Sequence, residues 1–349
     1  MRILALLTVR NEGAFLLDWL AHHRAAGITD FLVFSNDCQD GTDTMLDRLA
    51  ALGVLEHHRN DPPFDQRGIQ FTALNRAARL PALSRADWIL ALDIDEFVNV
   101  HVGDRTLPAL IAALPDATAI TLTWRLFGNC GVVGYEDRPV PAQFTRAAPE
   151  LLFWPWRAAM FKTLYRNDGT YAKPGVHRPR ALDMSRLGAA RWFDGAGREL
   201  DGEFAKRRIF SPYGRPNYGL AQLNHYPLGA MESYILKADR GRAVHSDQAL
   251  GMDYWVERNF CEVEDASIAA LAGAGAAMRA RFADDPALAR LHDRAVAWRK
   301  TRFAALMEQE PFRALFGRLL MTPPTRPMPR EAAQTLMGHA RRARAKAGK

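Results

Sequence analysis

The stretch that most restricts the fold is Trp88-Ile-Leu-Ala-Leu-Asp-Ile-Asp-Glu-Phe97. Five apolar residues, Trp88 to Leu92, run straight into Asp93, Asp95 and Glu96. An apolar run of that length without polar alternation describes a strand covered on both faces, which calls for a sheet with helices on either side. Its carboxyl end is the edge at which open α/β sheets bind ligands. In extended chain Asp93 and Asp95 point the same way. Two carboxylates facing one point suit a hard divalent ion, Mn²⁺ or Mg²⁺, together with phosphate oxygens. Glu96 would face the other side.

The preceding chain supports that sheet. Residues 3–9, 30–35 and 54–59 read as strands, and 11–26, 42–51 and 66–79 as helices between them, with Gly27 and Gly53 as stops. Strand and helix in alternation predict a doubly wound, mostly parallel α/β sheet with a Rossmann-like nucleotide-binding half. A helix over 106–114 and a strand over 117–127 follow. Residues 128–218 are rich in Gly, Pro, Arg and Trp and poor in periodicity. Such a stretch beside a buried sheet is expected to face substrate. A helix over 228–241, an Ala-rich helical region over 267–320, a Pro-rich linker and a short basic helix complete the chain. The expected division is a domain over 1–245, a helical extension over 246–320, and a linker with tail over 321–349. Within the domain, 1–127 forms the donor and metal half and 128–245 the acceptor and diphosphate region.

Composition removes several classes. Cys38, Cys130 and Cys261 are too few and too far apart for a disulfide framework or a zinc site, which fits a reducing, cytoplasmic setting. The apolar start leads into Arg10-Asn-Glu12 without a cleavage pattern, and no apolar run reaches 18 residues, so neither a signal peptide nor a membrane span is expected. The net charge of +7 is uneven: residues 1–100 hold nine Arg, no Lys and fourteen Asp or Glu, whereas 330–349 hold six Lys or Arg against one Glu. No aromatics interleave with those late charges, so nucleic acid is not the expected partner. The tail suits peripheral contact with an anionic membrane surface.

The first βα turn, Thr8-Val-Arg-Asn-Glu-Gly13, lacks the glycine pattern of a dinucleotide site, and the P-loop, zinc-protease and serine-hydrolase motifs are missing. What remains is a polar turn after strand one, a turn with Asp37 and Asp40 after strand two, and the acidic end of the strand at Trp88. All three fall on one sheet edge. Arg10-Asn-Glu12, Ser35-Asn-Asp-Cys-Gln-Asp-Gly-Thr42 and Asp93-Ile-Asp-Glu-Phe97 resemble the GT-A glycosyltransferases, specifically a family-2-like branch related to the DUF23/family 92 group. Trp124-Arg-Leu-Phe-Gly-Asn-Cys-Gly131 and Asn224-His-Tyr226, with Ser233, Lys237, Arg240 and Gly241, are similar to later signatures of that group. The resemblance covers about residues 1–245.

It implies metal-dependent transfer of a sugar from a nucleotide-diphosphate donor, in the first instance a UDP-sugar, to a hydroxyl on a glycan, lipid or protein. Asp93 and Asp95 would hold Mn²⁺ or Mg²⁺, with His225 as a third ligand. Arg10, Glu12 and Asp37 would line the nucleoside pocket, and Lys237 would meet the diphosphate. Gln70 and Asn75 are placed on the donor side, Arg67 near phosphate, and His177 on the acceptor or phosphate side. An inverting reaction also needs a general base. Glu96, Glu136, Asp183, Asp201, Glu203 and Asp247 are all candidates, and spacing does not choose among them. Two alternatives stay open: a haloacid-dehalogenase-like phosphatase, whose first Asp is a nucleophile, and a non-catalytic carbohydrate-binding protein.

Overall fold

The computed structural model describes residues 1–241 and 250–347. Its first part runs β1 (Ile3–Val9), α1 (Gly13–Ala25), β2 (Asp30–Ser35), α2 (Thr42–Ala51), β3 (Glu56–Arg59), α3 (Ile69–Ala77), α4 (Pro81–Ser84) and β4 (Trp88–Leu92). These four strands lie in the order β3-β2-β1-β4, all parallel. Along β1 the side chains alternate between two cores. Ile3, Ala5 and Leu7 join Leu16, Trp19 and Leu20 of α1, whereas Leu4 and Leu6 join Ala73 and Leu74 of α3. That two-sided burial is why the strand carries no polar alternation.

The second part runs β5 (Glu96–Val100), α5 (Leu107–Ala113), β6 (Ala119–Leu126), α6 (Val140–Gln143), β7 (Arg146–Ala147), β8 (Phe161–Arg166), β9 (Tyr171–Lys173), β10 (Arg180–Leu182), β11 (Trp192–Asp194), β12 (Glu199–Leu200), α7 (Gly202–Lys206) and β13 (Ala221–His225). Here the sheet is mixed. The expected parallel pairing runs unbroken through β4, and beyond it parallel pairs of β6 with β11 and β13 alternate with antiparallel ones. Strand β8 lies antiparallel between β4 and β6, and β13 runs parallel to β6 but antiparallel to β5. The chain reaches β8 through a long irregular connection and not through a packed crossover helix, so nothing forces a parallel return.

The last part holds α8 (Met231–Arg240), α9 (Met252–Val256), β14 (Val263–Glu264), α10 (Ala272–Ala283), α11 (Pro286–Met307), α12 (Glu310–Met321) and α13 (Arg330–Ala347). Helix α10 packs along α1, α11 touches α1, α2 and α8, and α12 rests on α8. Asp285 starts α11 by accepting hydrogen bonds from the amides of Ala287 and Leu288, and its carboxylate also pairs with Arg48 of α2. No helix among the described residues is long and apolar enough to cross a membrane.

The helical region comes close to the sheet domain at Gly13, the first residue of α1. A Cβ there would lie 2.8 Å from the Cβ of Ala295 on α11. Alanine is otherwise the better helix former, so the sign of Gly13→Ala reports this contact. Gly13→Ala is expected to lower stability by about 1–3 kcal/mol through overpacking, and Ala295→Gly in the same chain to recover part of it. Thermal unfolding of the three proteins measures both effects.

Candidate functional site

Two turns at the carboxyl ends of β1 and β2 form one unit because their polar side chains bond across to each other. Asn11 Oδ1 accepts from the amide of Gln39 at 2.6 Å, and Asp40 Oδ2 from the amide of Gly13 at 2.9 Å. Thr42 Oγ1 accepts from the Glu12 amide at 2.9 Å while donating to Asp40 Oδ1 at 2.6 Å. Asn11 and Asp37 both take left-handed backbone, with φ of 55° and 45°, a conformation that Asn and Asp tolerate better than most residues. The turn residues thus hold the loops in register, and three others are left for the ligand side. Arg10 pairs with Asp37 and donates to the Arg240 carbonyl at 3.2 Å; Glu12, 5% exposed, pairs with Arg240.

The acidic motif is not extended. Asp93, Ile94 and Asp95 form a tight turn closed by the Glu96 amide donating to the Asp93 carbonyl at 3.1 Å. This corrects the expectation of an extended chain here, although both carboxylates line one cleft. The chain must turn here, since β5 leaves β4 to pair with β13. Asp93 Oδ1 accepts from Gln70 Nε2 and Oδ2 from Lys162 Nζ, each at 2.8 Å. Asp95 Oδ2 accepts from Lys237 Nζ at 2.7 Å, and its Oδ1 lies 3.7 Å from His225 Nε2. Burial alone would raise the Asp95 carboxyl, but Lys237, aided by His225, holds it well below the usual carboxylate range.

Lys162 is the residue that sequence reasoning missed. It is 0% exposed, at the second position of β8, and its ammonium lies between Asp93 Oδ2 and Glu96 Oε2, the latter at 3.5 Å. Burial works to discharge it, but Asp93 and Glu96 outweigh that and its pKa is raised. A signal was present. Only seven of the 46 basic residues are lysine, and Lys162 sits inside the apolar stretch Phe161-Lys-Thr-Leu-Tyr165. Glu96, also 0% exposed, accepts from the indole N–H of Trp124 at 2.7 Å and from the Asp93 amide at 2.9 Å. Burial pushes this carboxyl up to about 8. Sealed from the cleft, Glu96 supports the turn and Lys162.

These groups open on a cleft of about 530 Å³ at the strand ends, within the usual range for a ligand site. Arg10, Glu12, Gln70, Asp93, Asp95, His177, His225 and Lys237 all line it, joined by Arg157, Arg240, Tyr254 and Arg258. Asp37 sits at the rim, its side chain 69% exposed. Arg67 is exposed with its guanidinium over Phe71, and Asn75 donates to Asp65 at 2.7 Å; neither lines the cleft.

Four of the general-base candidates lie elsewhere. Asp201 caps α7, Glu203 pairs with Arg207, Asp183 caps the short turn after β10, and Glu136 is an exposed partner of Arg138. Asp247 lies outside the described residues. The carboxylates at this edge are paired within the protein with lysine and arginine. Among the described residues no three His, Cys, Asp or Glu side chains converge as a ready-made metal cluster.

Breaking a buried charge pair by removing one partner costs about 3–5 kcal/mol. Lys162→Met, which keeps volume but leaves Asp93 and Glu96 facing each other, is therefore expected to destabilise the chain by that order in denaturant unfolding. Asp201→Asn and Glu203→Gln, remote from the cleft, are expected to leave turnover unchanged in the same preparation.

The model of glycosyltransferase family 92 matches residues 8–187, just over half of the chain, a span from the β1 turn past β8 and His177. A glycosyltransferase family 92 protein of Ricinus communis aligns with 25% identity over 97 residues, 27% of this chain and 16% of that protein. A second alignment to it has 23% identity over 147 residues, 39% and 24% of the two chains. The chain thus spans less than a quarter of the length of that relative in either match. Among solved structures, S. aureus TarS residues 1–349 is similar at 16% identity and a TM-score of 0.30, over 48% of this chain and 47% of that one. Glucosyl-3-phosphoglycerate synthase of Mycobacterium tuberculosis, solved with Mg²⁺ and uridine diphosphate, is similar at 18% identity and 0.25, over 35% and 43%. On the family match, this chain belongs to glycosyltransferase family 92.

Proposed function

We propose that the chain transfers a sugar from a nucleotide-diphosphate sugar, a UDP-sugar in the first instance, to a hydroxyl on a glycan, lipid-linked or protein acceptor. One observation carries this reading. The cleft at the ends of β1 and β4 presents Arg10, Lys237, Arg240, Arg157 and Arg258 against Glu12, Asp93 and Asp95. Five cations over three carboxylates leave a positive excess, and a positive wall attracts a diphosphate and disperses the charge that grows on it as a leaving group. Arg240 and Lys237 come from α8, next to the turn that holds Asp95, so they are placed for the diphosphate. Arg10 and Glu12 belong to the first turn, on the nucleoside side. Met160, His177 and Phe210 line the part of the cleft formed after β6, which faces the acceptor.

The donor chemistry fits a divalent ion at one place. Asp95 Oδ1 and His225 Nε2 stand 3.7 Å apart, beyond hydrogen-bond reach, and His225 Nδ1 is buried without a partner among the described residues. A carboxylate and a neutral imidazole suit Mn²⁺, with Mg²⁺ favouring the oxygen. Asp95 and His225 would hold the ion and Asp93 would stand behind them, its two oxygens already accepting from Gln70 and Lys162. When bound, the ion supplies Lewis-acid stabilisation of the departing diphosphate. Lys162, bonded to Asp93 and close to Glu96, keeps the turn rigid. The same hydrogen bonds oppose a phosphatase reading, since an aspartate nucleophile needs a free oxygen.

Calorimetric titration with UDP and GDP, with and without Mn²⁺, tests the proposal. Tighter binding of one nucleotide with the metal, lost at least tenfold in Asp95→Ala, is the expected outcome. Absence of binding by either nucleotide, with hydrolysis of small phosphate esters, would overturn it in favour of phosphoryl chemistry.

A further inference from the structure

We propose that His177 is the general base of the transfer, its Nε2 taking the proton from the acceptor hydroxyl. This rests on the glycosyl-transfer reading and on an inverting displacement, and it goes beyond that reading by naming the group that activates the acceptor.

The argument begins with the carboxylates. Every described carboxylate that lines the cleft is committed to a cation. Glu12 is paired with Arg240, Asp93 with Lys162 and Gln70, and Asp95 with Lys237. Glu96 lies behind them with both oxygens bonded. A carboxylate held in this way orients its partner and is a poor proton acceptor.

His177 differs. It lies in the loop between β9 and β10, clamped onto β8 at two points: its Nδ1 is 3.0 Å from the Phe161 carbonyl, and Thr163 Oγ1 donates to the His177 carbonyl at 2.8 Å. A carbonyl can only accept, so Nδ1 must carry the proton and Nε2 must hold the lone pair. Nε2 makes no hydrogen bond among the described residues, and the ring lines the cleft beside Trp124, edge-on at 5.6 Å. The tautomer of a base, its orientation by a second group and its position in the cleft are therefore all set by the fold. Burial, with Lys162 close by, lowers this imidazole to about 4, so the ring is neutral and its lone pair available at neutral pH. Asp93 acts in the opposite sense and favours the imidazolium once it forms.

The step balances as follows. The acceptor oxygen forms a bond to C1 of the donor sugar while the bond from C1 to the diphosphate oxygen breaks. That electron pair leaves with the nucleoside diphosphate. The hydroxyl proton moves to His177 Nε2 and passes to solvent after the product departs.

The test uses water as the acceptor, with UDP-glucose, UDP-galactose, UDP-N-acetylglucosamine and GDP-mannose as donors and nucleotide release as the readout. His177→Asn can keep the hydrogen bond to Phe161 while removing the lone pair, and His177→Ala leaves room for added imidazole. Expected are a fall in kcat of about 100-fold or more in both, UDP affinity within twofold of wild type, and recovery of at least tenfold in His177→Ala with imidazole. Independently of turnover, diethyl pyrocarbonate should acylate His177 in the wild-type chain, and a bound nucleotide-sugar should protect it. Variants that keep wild-type hydrolysis, a His177→Ala enzyme that imidazole does not restore, or an unlabelled His177 would each overturn the assignment alone. A wild-type chain that neither binds nucleotide nor releases it from any donor would overturn the transfer reading, and the base with it.

Discussion

A buried ammonium set between two carboxylates is the constraint on which the site depends. Lys162 has no water to solvate it, and Asp93 and Glu96 must supply what water would have. Because the ammonium and the two acidic side chains hold one another, the turn from Leu92 to Glu96 has little freedom. Glu96 is fastened at its other oxygen by the Trp124 indole, and the Trp19 indole donates to the Asp93 and Glu96 carbonyls at 3.2 and 3.0 Å. The direction in which Asp95 leaves the turn follows from those restraints. It meets Lys237 and His225, which arrive from α8 and the end of β13.

Strand β8 gives this arrangement its reach. Inserted antiparallel between β4 and β6, it carries Lys162 under the acidic turn. From the residues on either side, Phe161 and Thr163, it holds the loop that bears His177. One six-residue strand therefore ties the electrostatics of the acidic turn to the geometry of the loop that bears His177. The C-terminal helices add a second constraint. Arg299 of α11, 6% exposed, donates to Ser233 at 2.8 Å and lies over Phe15 and Tyr135. Helix α8, the source of Lys237 and Arg240, is thereby braced from behind.

On the proposed reading, the balance of charge in the cleft lets one site receive both a diphosphate and a metal. Carboxylates left without partners would repel a diphosphate, and arginines left alone would hold it. Pairing each acid with a lysine or arginine gives a wall that is positive overall yet made of short-range pairs.

Much of this was open to inspection in the chain itself. The apolar runs at Ile3 and Trp88 are long enough to require burial on both faces, which settles a helix-covered sheet, and the acidic end of β4 marks the edge where the cleft opens. The polar turns after β1 and β2 were legible because Asn, Asp, Gly and Thr have few other uses at such spacing. Local sequence could not say which way Asp93 and Asp95 point, because the turn between them exists only to send β5 toward β13, 125 residues further on. It could not reveal Lys162 as the partner of Asp93, since their contact spans 69 positions. Nor could it choose a base among scattered acids, because capping and surface ion pairs use the same residue types as catalysis. Burial pattern is written along the chain; the pairing of charges across strands is decided only when the sheet closes.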